Sequence, residues 1–357
     1  MKVALIEIGG SHEECMLTQM IALKSINASI TLICTPEIKA RNPHFEKYVD
    51  AILVVDFTKK AWADFKLIVG INQFLKSNNF QKAVLNTAQG GNIRNLCLTA
   101  PKSVEFIGII HTIRKFQGSF TQKIIHLKIS KYLLLSDFLL NKITTPKKMK
   151  VESFYPLDYP EFDLKIDKKR TETWIAIVGG VENRRKDLSG FLSMLEKTSN
   201  ENIKFVFLGK SDENKEEVLN FKAQIETMNR SNQVITFKDF IAPDLFNAYI
   251  QESDFLCPLI HPETQSAEQY ISNQISGAFN LAYSYQIPLL MHEFYNEIED
   301  LQKSSAFYNL TNFDSKLENA IQNRGEIVAK IASVEKWEKE FQQAKFVAFL
   351  SKSLLSD

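Results

Sequence analysis

Cysteine is scarce in this chain: Cys15, Cys34, Cys97 and Cys257 are spread over 357 positions. No two form a CxxC pair and none has metal-ligand spacing. A disulfide framework is thereby excluded, no metal site is expected, and free thiols in a reducing compartment are. Glycine (13) and proline (10) are too few for a disordered or low-complexity chain. Long apolar runs are also missing. The central stretch YLLLSDFLL is interrupted by Asp137 and falls short of the ~18 residues of a membrane-spanning helix. The opening run KVALIEI carries Glu7 and is too short for a secretory core, so no targeting segment is read. A cytoplasmic protein is the expectation, with peripheral contact at the inner face of the membrane left open. No nucleic-acid partner is expected.

What is present is a chain of two-domain length, 45% hydrophobic and 24% charged. The net charge of +1 hides an asymmetry: residues 1–168 hold 23 Lys+Arg against 15 Asp+Glu, and residues 169–357 hold 20 against 27. The first part, at +8, suits an anionic partner such as phosphate or an anionic lipid surface. Solvated faces with complementarity between domains would give the same numbers.

Short Val- and Ile-rich runs alternate with stretches of helical period, the βαβ pattern of a parallel sheet. In the first part the strand candidates are KVALIEI, SITLIC, AILVVD, KAVLN, EFIGII, KYLLLS and MKVES. Ser11 with Glu14 predicts a capping box opening the first helix, and residues 60–77 predict a long amphipathic helix. FYPLDYPEFDLKIDKKRT then breaks the pattern with prolines and alternating charge, as a linker does. The pattern restarts at WIAIVGG and runs through IKFVFLG, VITF, DFLCPLI and IPLLMH, ending in helices with a long one over about 325–350. The expected organisation is α/β: a first Rossmann-like domain over 1–154, a linker over 155–171, a second over 172–325, and a C-terminal helix over 326–357 packing back across the junction. Such domains bind ligands at the carboxyl ends of their strands, so two of them facing a central cleft would place the site there.

Two loops carry the strongest signals. In WIAIVGG-VENRRKD, Gly179 and Gly180 end a buried strand and permit close backbone approach. A helix starting near Asp187 directs free N–H groups to the same place, and Arg184, Arg185 and Lys186 supply charge for a diphosphate. Taken alone, the loop is equally a tight connection with solvated basic residues. It is neither GxGxxG nor GxxxxGK[ST], which disfavours plain NAD binding and NTPase chemistry. In the segment 253–293, His261 and Glu263 follow a strand ending at Pro258, and Ser276-Gly277 opens an apolar helix, a second anion-binding start.

VGGVENRRKD, the strand ending in Pro, LAYSYQIP, IGGSHEE and IIHTIRKF together resemble GT-B glycosyltransferases, in particular the family-four-like retaining enzymes of bacterial surface polysaccharide assembly. The resemblance implies transfer of a sugar from a nucleotide diphosphate donor, a co-substrate and not a resident cofactor, to a glycan or lipid-linked glycan, with retention. His111 would contact sugar or acceptor. Arg185 and Lys186 would stabilise the departing diphosphate. Gly179, Gly180, Arg184, Gly209, His261, Glu263, Ser276 and Gly277 would line the donor, and Gly9, Gly10 and Ser11 the acceptor side. The family's two glutamates, eight positions apart, fall here on Asn273 and Leu281. That departure keeps two further readings: a non-catalytic sugar-nucleotide or partner-binding protein of the same fold, and a nucleotide-sugar 2-epimerase.

Overall fold

The computed structural model describes residues 1–116 and 118–352. The chain divides into two compact units. Unit 1 comprises Met1–Tyr159, Asn273–Ile275 and Glu338–Asp357, and unit 2 comprises Pro160–Ser272 and Ser276–Trp337. Among the described residues no helix is long and apolar enough to cross a membrane.

Unit 1 is built on seven parallel strands: β1 (Lys2–Glu7), β2 (Ser29–Cys34), β3 (Ala51–Val54), β4 (Lys82–Leu85), β5 (Glu105–Ile110), β6 (Lys131–Leu134) and β7 (Lys150–Ser153). Their order is β3-β2-β1-β4-β5-β6-β7. Side chains alternate between two cores. Ala4 and Ile6 of β1 face one core, with Ile68, Ile71, Ile93 and Ile125 from the helices Ala61–Ser77, Gly91–Leu98 and Phe120–His126. Val3 and Leu5 face the other, with Met16, Met20 and Leu23 of the helix Met16–Ser25 and Phe346, Phe349 and Leu350 of the last helix, Lys339–Ser351. Both faces being covered explains why the strands are near-continuous apolar runs. The last helix is also fastened by polar contacts: the buried Lys131 ammonium reaches Glu105 at 2.9 Å and the Leu350 carbonyl at 3.2 Å.

Unit 2 carries six parallel strands: β8 (Thr173–Val178), β9 (Ile203–Lys210), β10 (Val234–Phe237), β11 (Phe255–Leu256), β12 (Leu289–His292) and β13 (Ser305–Tyr308), in the order β10-β9-β8-β11-β12-β13. Its core is aromatic, with Phe191 edge-on to Phe205 and Phe207. In each sheet the chain reverses its direction of growth once, between β1 and β4 in unit 1 and between β8 and β11 in unit 2. Those are the positions where crevices open at the carboxyl ends of the strands.

Four sequence expectations need correction. Strand β13 was not foreseen; SAFY is short and begins within the serine pair Ser304-Ser305, yet it pairs along its length with β12. The long terminal helix is two, Arg324–Ala332 and Lys339–Ser351, separated by a turn around Glu335–Trp337. The first belongs to unit 2 and the second to unit 1. Trp337 is buried there, its indole stacked on Tyr283 at 4.1 Å, so packing of one large ring overrides helical continuity. The capping box does not form. Ser11 is exposed and His12 takes the left-handed conformation (φ 70°) ahead of a short turn Glu13–Cys15. Finally, the chain leaves unit 1 at Tyr159, because Tyr155 and Asp158 of the segment read as linker are held by Gln342 and Thr18.

Candidate functional site

In unit 2, β8 runs into Gly179, whose φ of 100° suits only glycine, and the next strand over contributes Gly209. A Cβ on Gly209 would lie 2.3 Å from the Gly179 carbonyl carbon. Gly209, expected to line the donor, is therefore required for the close packing that shapes the Gly179–Gly180 turn. Beneath that turn lies Lys186, 4% exposed, with Nζ donating to the Val178 carbonyl at 2.6 Å. No carboxylate pairs with it among the described residues. Burial pulls its pKa down from 10.5 to about 8.

Asp187 and His261 take other parts than expected. Asp187 caps the helix Leu188–Lys197: its Oδ1 accepts from the Gly190 amide at 2.8 Å, so the cap's own carboxylate fills the helix start read as a phosphate site. Its Oδ2 lies 2.8 Å from His261 Nδ1, and His261 Nε2 lies 2.8 Å from the Tyr308 hydroxyl. Burial opposes the charge of Asp187, but the hydrogen bonds from His261, Gly190 and Ser189 hold its pKa at about 2. An ionised carboxylate only accepts, so Nδ1 carries a proton toward Asp187, and Nε2 shares a hydrogen bond with the Tyr308 hydroxyl. His261 is fully buried. Through these two contacts it ties the loop after β11 and the end of β13 to the Lys186 loop.

The remaining predicted residues divide by exposure. Arg184 and Arg185 are exposed and both reach Glu182, at 3.3 and 3.1 Å. Glu263 is exposed as well. Ser276 caps the helix Gly277–Tyr285, with the Ala278 amide donating to its Oγ at 3.4 Å, and Gly277 is exposed. Leu281 is 4% exposed and packs in the interior. Its neighbour Asn280 is equally buried, and its Oδ1 has no hydrogen-bond partner among the described residues. A polar residue inside the apolar run GAFNLAY was the signal for it, and sequence reading passed it over.

In unit 1 the crevice between β1 and β4 gathers a polar cluster. Glu7, the last residue of β1, is fully buried. Its Oε1 accepts from the Gly9 amide at 2.7 Å, and its Oε2 accepts from Asn86 Nδ2 at 2.8 Å and the Thr87 hydroxyl at 2.6 Å. Burial raises its pKa, and these hydrogen bonds only partly offset that. Gly10 has φ 80°, and its carbonyl accepts from Arg41 at 3.0 Å. His111 follows β5 as expected but is 8% exposed, with Nε2 2.7 Å from the Asn86 carbonyl. Burial and the neighbouring His12 push its pKa down to about 3, so its ring is neutral. Over it, 3.9 Å away and nearly parallel, stacks the ring of His12. Glu7, His12, Asn86 and Thr87 were not among the predicted site residues. The charge of Glu7 inside an apolar strand was the available signal.

No family model matches this chain, and no curated protein does. Solved structures do. Anabaena HepE in complex with UDP is 12% identical with a TM-score of 0.67, over 98% of this chain and all of its own. A Rickettsia africae glycosyltransferase is 10% identical with a TM-score of 0.66, over 99% of both chains. A Listeria monocytogenes putative UDP-N-acetylglucosamine 2-epimerase is 12% identical with a TM-score of 0.65, over 98% of this chain and 95% of its own. At such identities the likeness is one of fold, and the two Rossmann-like units of this chain have the GT-B architecture.

Proposed function

We propose that the protein is a glycosyltransferase whose unit 2 holds a nucleotide diphosphate sugar and whose unit 1 holds a glycan or lipid-linked glycan acceptor. The observation that carries this reading is Lys186. An ammonium 4% exposed, with a backbone carbonyl for a partner and a pKa drawn down to about 8, is a costly arrangement without a counter-charge. A diphosphate at the Gly179–Gly180 turn would supply the missing negative charge. During transfer the Lys186 ammonium would also stabilise the charge that develops on the departing diphosphate. The Ser276–Gly277 helix start offers amide donors for the same anion. Anabaena HepE binds UDP, so UDP is the nucleotide to try first.

Calorimetry with UDP tests the reading. Lys186→Met should weaken binding about tenfold or more, the loss expected for a hydrogen bond to a charged group. Arg184→Ala and Arg185→Ala should change it by less than about fivefold, since both side chains are exposed and already paired. Equal affinity of the wild type and Lys186→Met for UDP would sink the assignment. One observation favours a second reading, a binding protein without catalysis: buried Leu281 stands where the family resemblance places a carboxylate. Turnover of UDP-glucose, UDP-galactose or UDP-N-acetylglucosamine, followed by NMR of the released sugar, separates the two and also reveals any 2-epimer.

A further inference from the structure

We propose that Trp62, with the lysines around it, is a stacking platform for an acidic glycan chain whose sugars carry carboxylates, a role that rests on the reading of unit 1 as the acceptor side. Trp62 stands in the first turn of the helix Ala61–Ser77, which follows β3. Its indole is 69% exposed, whereas Trp174 and Trp337 are buried. Its ring lies nearly parallel to that of Phe65, at 20° and 6.1 Å between centroids, and the Lys66 ammonium stands 5.7 Å from its centre. Exposed Lys59 and Lys60 come immediately before the helix. No carboxylate lies within ion-pair distance of Lys59, Lys60 or Lys66 among the described residues. A sugar ring has an apolar face of C–H bonds that suits the negative face of an indole, and the unpaired ammonium groups beside it suit carboxylates along the same chain.

The surroundings fix the place of this surface. Asp64 Oδ1 accepts from the Thr58 amide at 2.8 Å and the Thr58 hydroxyl at 3.0 Å, which ties the loop carrying Lys59 and Lys60 to the helix carrying Trp62. That loop leaves the carboxyl end of β3, the same edge of the sheet at which Gly9 and Gly10 follow β1. Neighbouring strands are about 4.8 Å apart, so β3 ends about 10 Å from β1, a distance that a short run of sugars covers. Between them Arg41, from the segment after β2, is paired with Glu13 and donates to the Gly10 carbonyl. The other exposed positions of the Trp62 helix are Ala61, Lys66, Gly70, Gln73, Lys76 and Ser77. An interfacial helix lays a whole apolar face in lipid, and the core of a protein interface is apolar as well, whereas here a lone indole is ringed by polar groups.

Tryptophan fluorescence of the full chain reads the platform without UDP or turnover, because Trp62 is the exposed indole. Alginate hexasaccharide should shield Trp62 from acrylamide, and its binding should weaken as salt rises. Maltohexaose, the neutral control, should bind at least about fivefold more weakly. In calorimetry Trp62→Ala should lower affinity for the alginate hexasaccharide about tenfold, and Trp62→Phe should restore most of it. Lys59→Ala combined with Lys66→Ala should lower it about fivefold and leave maltohexaose unaffected. UDP affinity should stay the same in all of these variants. No binding of the alginate hexasaccharide, equal affinity for the acidic and neutral chains, or unchanged affinity in Trp62→Ala overturns the proposal. So does binding to phosphatidylglycerol vesicles that Trp62→Ala abolishes, which makes the indole a membrane contact, or a dimer in sedimentation that the same variant dissolves. Each of those results leaves the donor reading of unit 2 standing. Protein that binds the acidic chain through Trp62 but fails to bind UDP keeps the platform and removes the transferase reading.

Discussion

Asp187 Oδ2 and His261 Nδ1 stand 2.8 Å apart although 74 residues separate them in the chain. The pair joins the loop after β8 to the loop after β11, and Tyr308 extends it to β13. Space for it exists because position 190 is glycine: a Cβ there would lie 2.2 Å from the Asp187 carboxylate and 2.5 Å from the imidazole. The loop that carries Lys186 is thus positioned by three strands at once.

Breaking that brace should show in stability. Asp187→Ala loses a helix cap and leaves a buried imidazole N–H unpaired, an expected loss of about 2–4 kcal/mol in urea unfolding. Tyr308→Phe removes one hydroxyl and should lose about 1 kcal/mol. If the two variants lose the same amount, the carboxylate is not the anchor.

Lys186 should make stability rise at alkaline pH. Its folded pKa, about 8, lies below the ordinary 10.5, so between those values the unfolded chain binds more protons and unfolding becomes harder as pH increases. Below about pH 8 the full penalty applies, on the order of 3 kcal/mol. Lys186→Met should flatten this part of the pH–stability curve relative to wild type. By the same linkage, UDP should bind the wild type more weakly as pH rises through 8, where the ammonium is lost. Parallel wild-type and variant curves would contradict a buried ammonium.

His111 should act at the acid end. With its pKa depressed from 6.5 to about 3, the unfolded chain takes up a proton that the folded one refuses, so stability falls as pH drops from 6.5 toward 3. Replacing the ring by Asn should remove that part of the slope, amounting to a few kcal/mol over the window. Glu7 works in the opposite sense. Its raised pKa makes the folded state bind more protons as pH falls through its titration, so Glu7→Gln should steepen the acid loss. Thermal melts across this range in the two variants give the check.

The basic excess of residues 1–168 predicts binding to anionic vesicles at low salt, with release as salt rises. Lys147, Lys148 and Lys150 neutralised together should weaken it by up to about 3 kcal/mol, near 1 kcal/mol for each charge. Protein that stays in the supernatant even at low ionic strength would leave the charge asymmetry to solubility, and favour a soluble acceptor.

Two parallel sheets and most of their strands could be read from the chain itself, because burial on both faces writes each strand as a short apolar run and each crossover as a helical period. The glycines of the β8 turn were legible for the same local reason. What the sequence could not decide is which polar residues meet. Lys186 and Arg185 are neighbours in one basic run, yet one is sealed under a glycine turn and the other lies in solvent. Asp187 was read as part of a phosphate-binding helix start, and a histidine 74 residues away makes it a buried brace instead. His111 was picked out and His12 was not, although they stack on each other, since nothing local to either position records the 3.9 Å between their rings. Periodicity encodes burial one element at a time, whereas hydrogen-bond partners and desolvation are set by strand order, which brings β1 beside β4 and β8 beside β11.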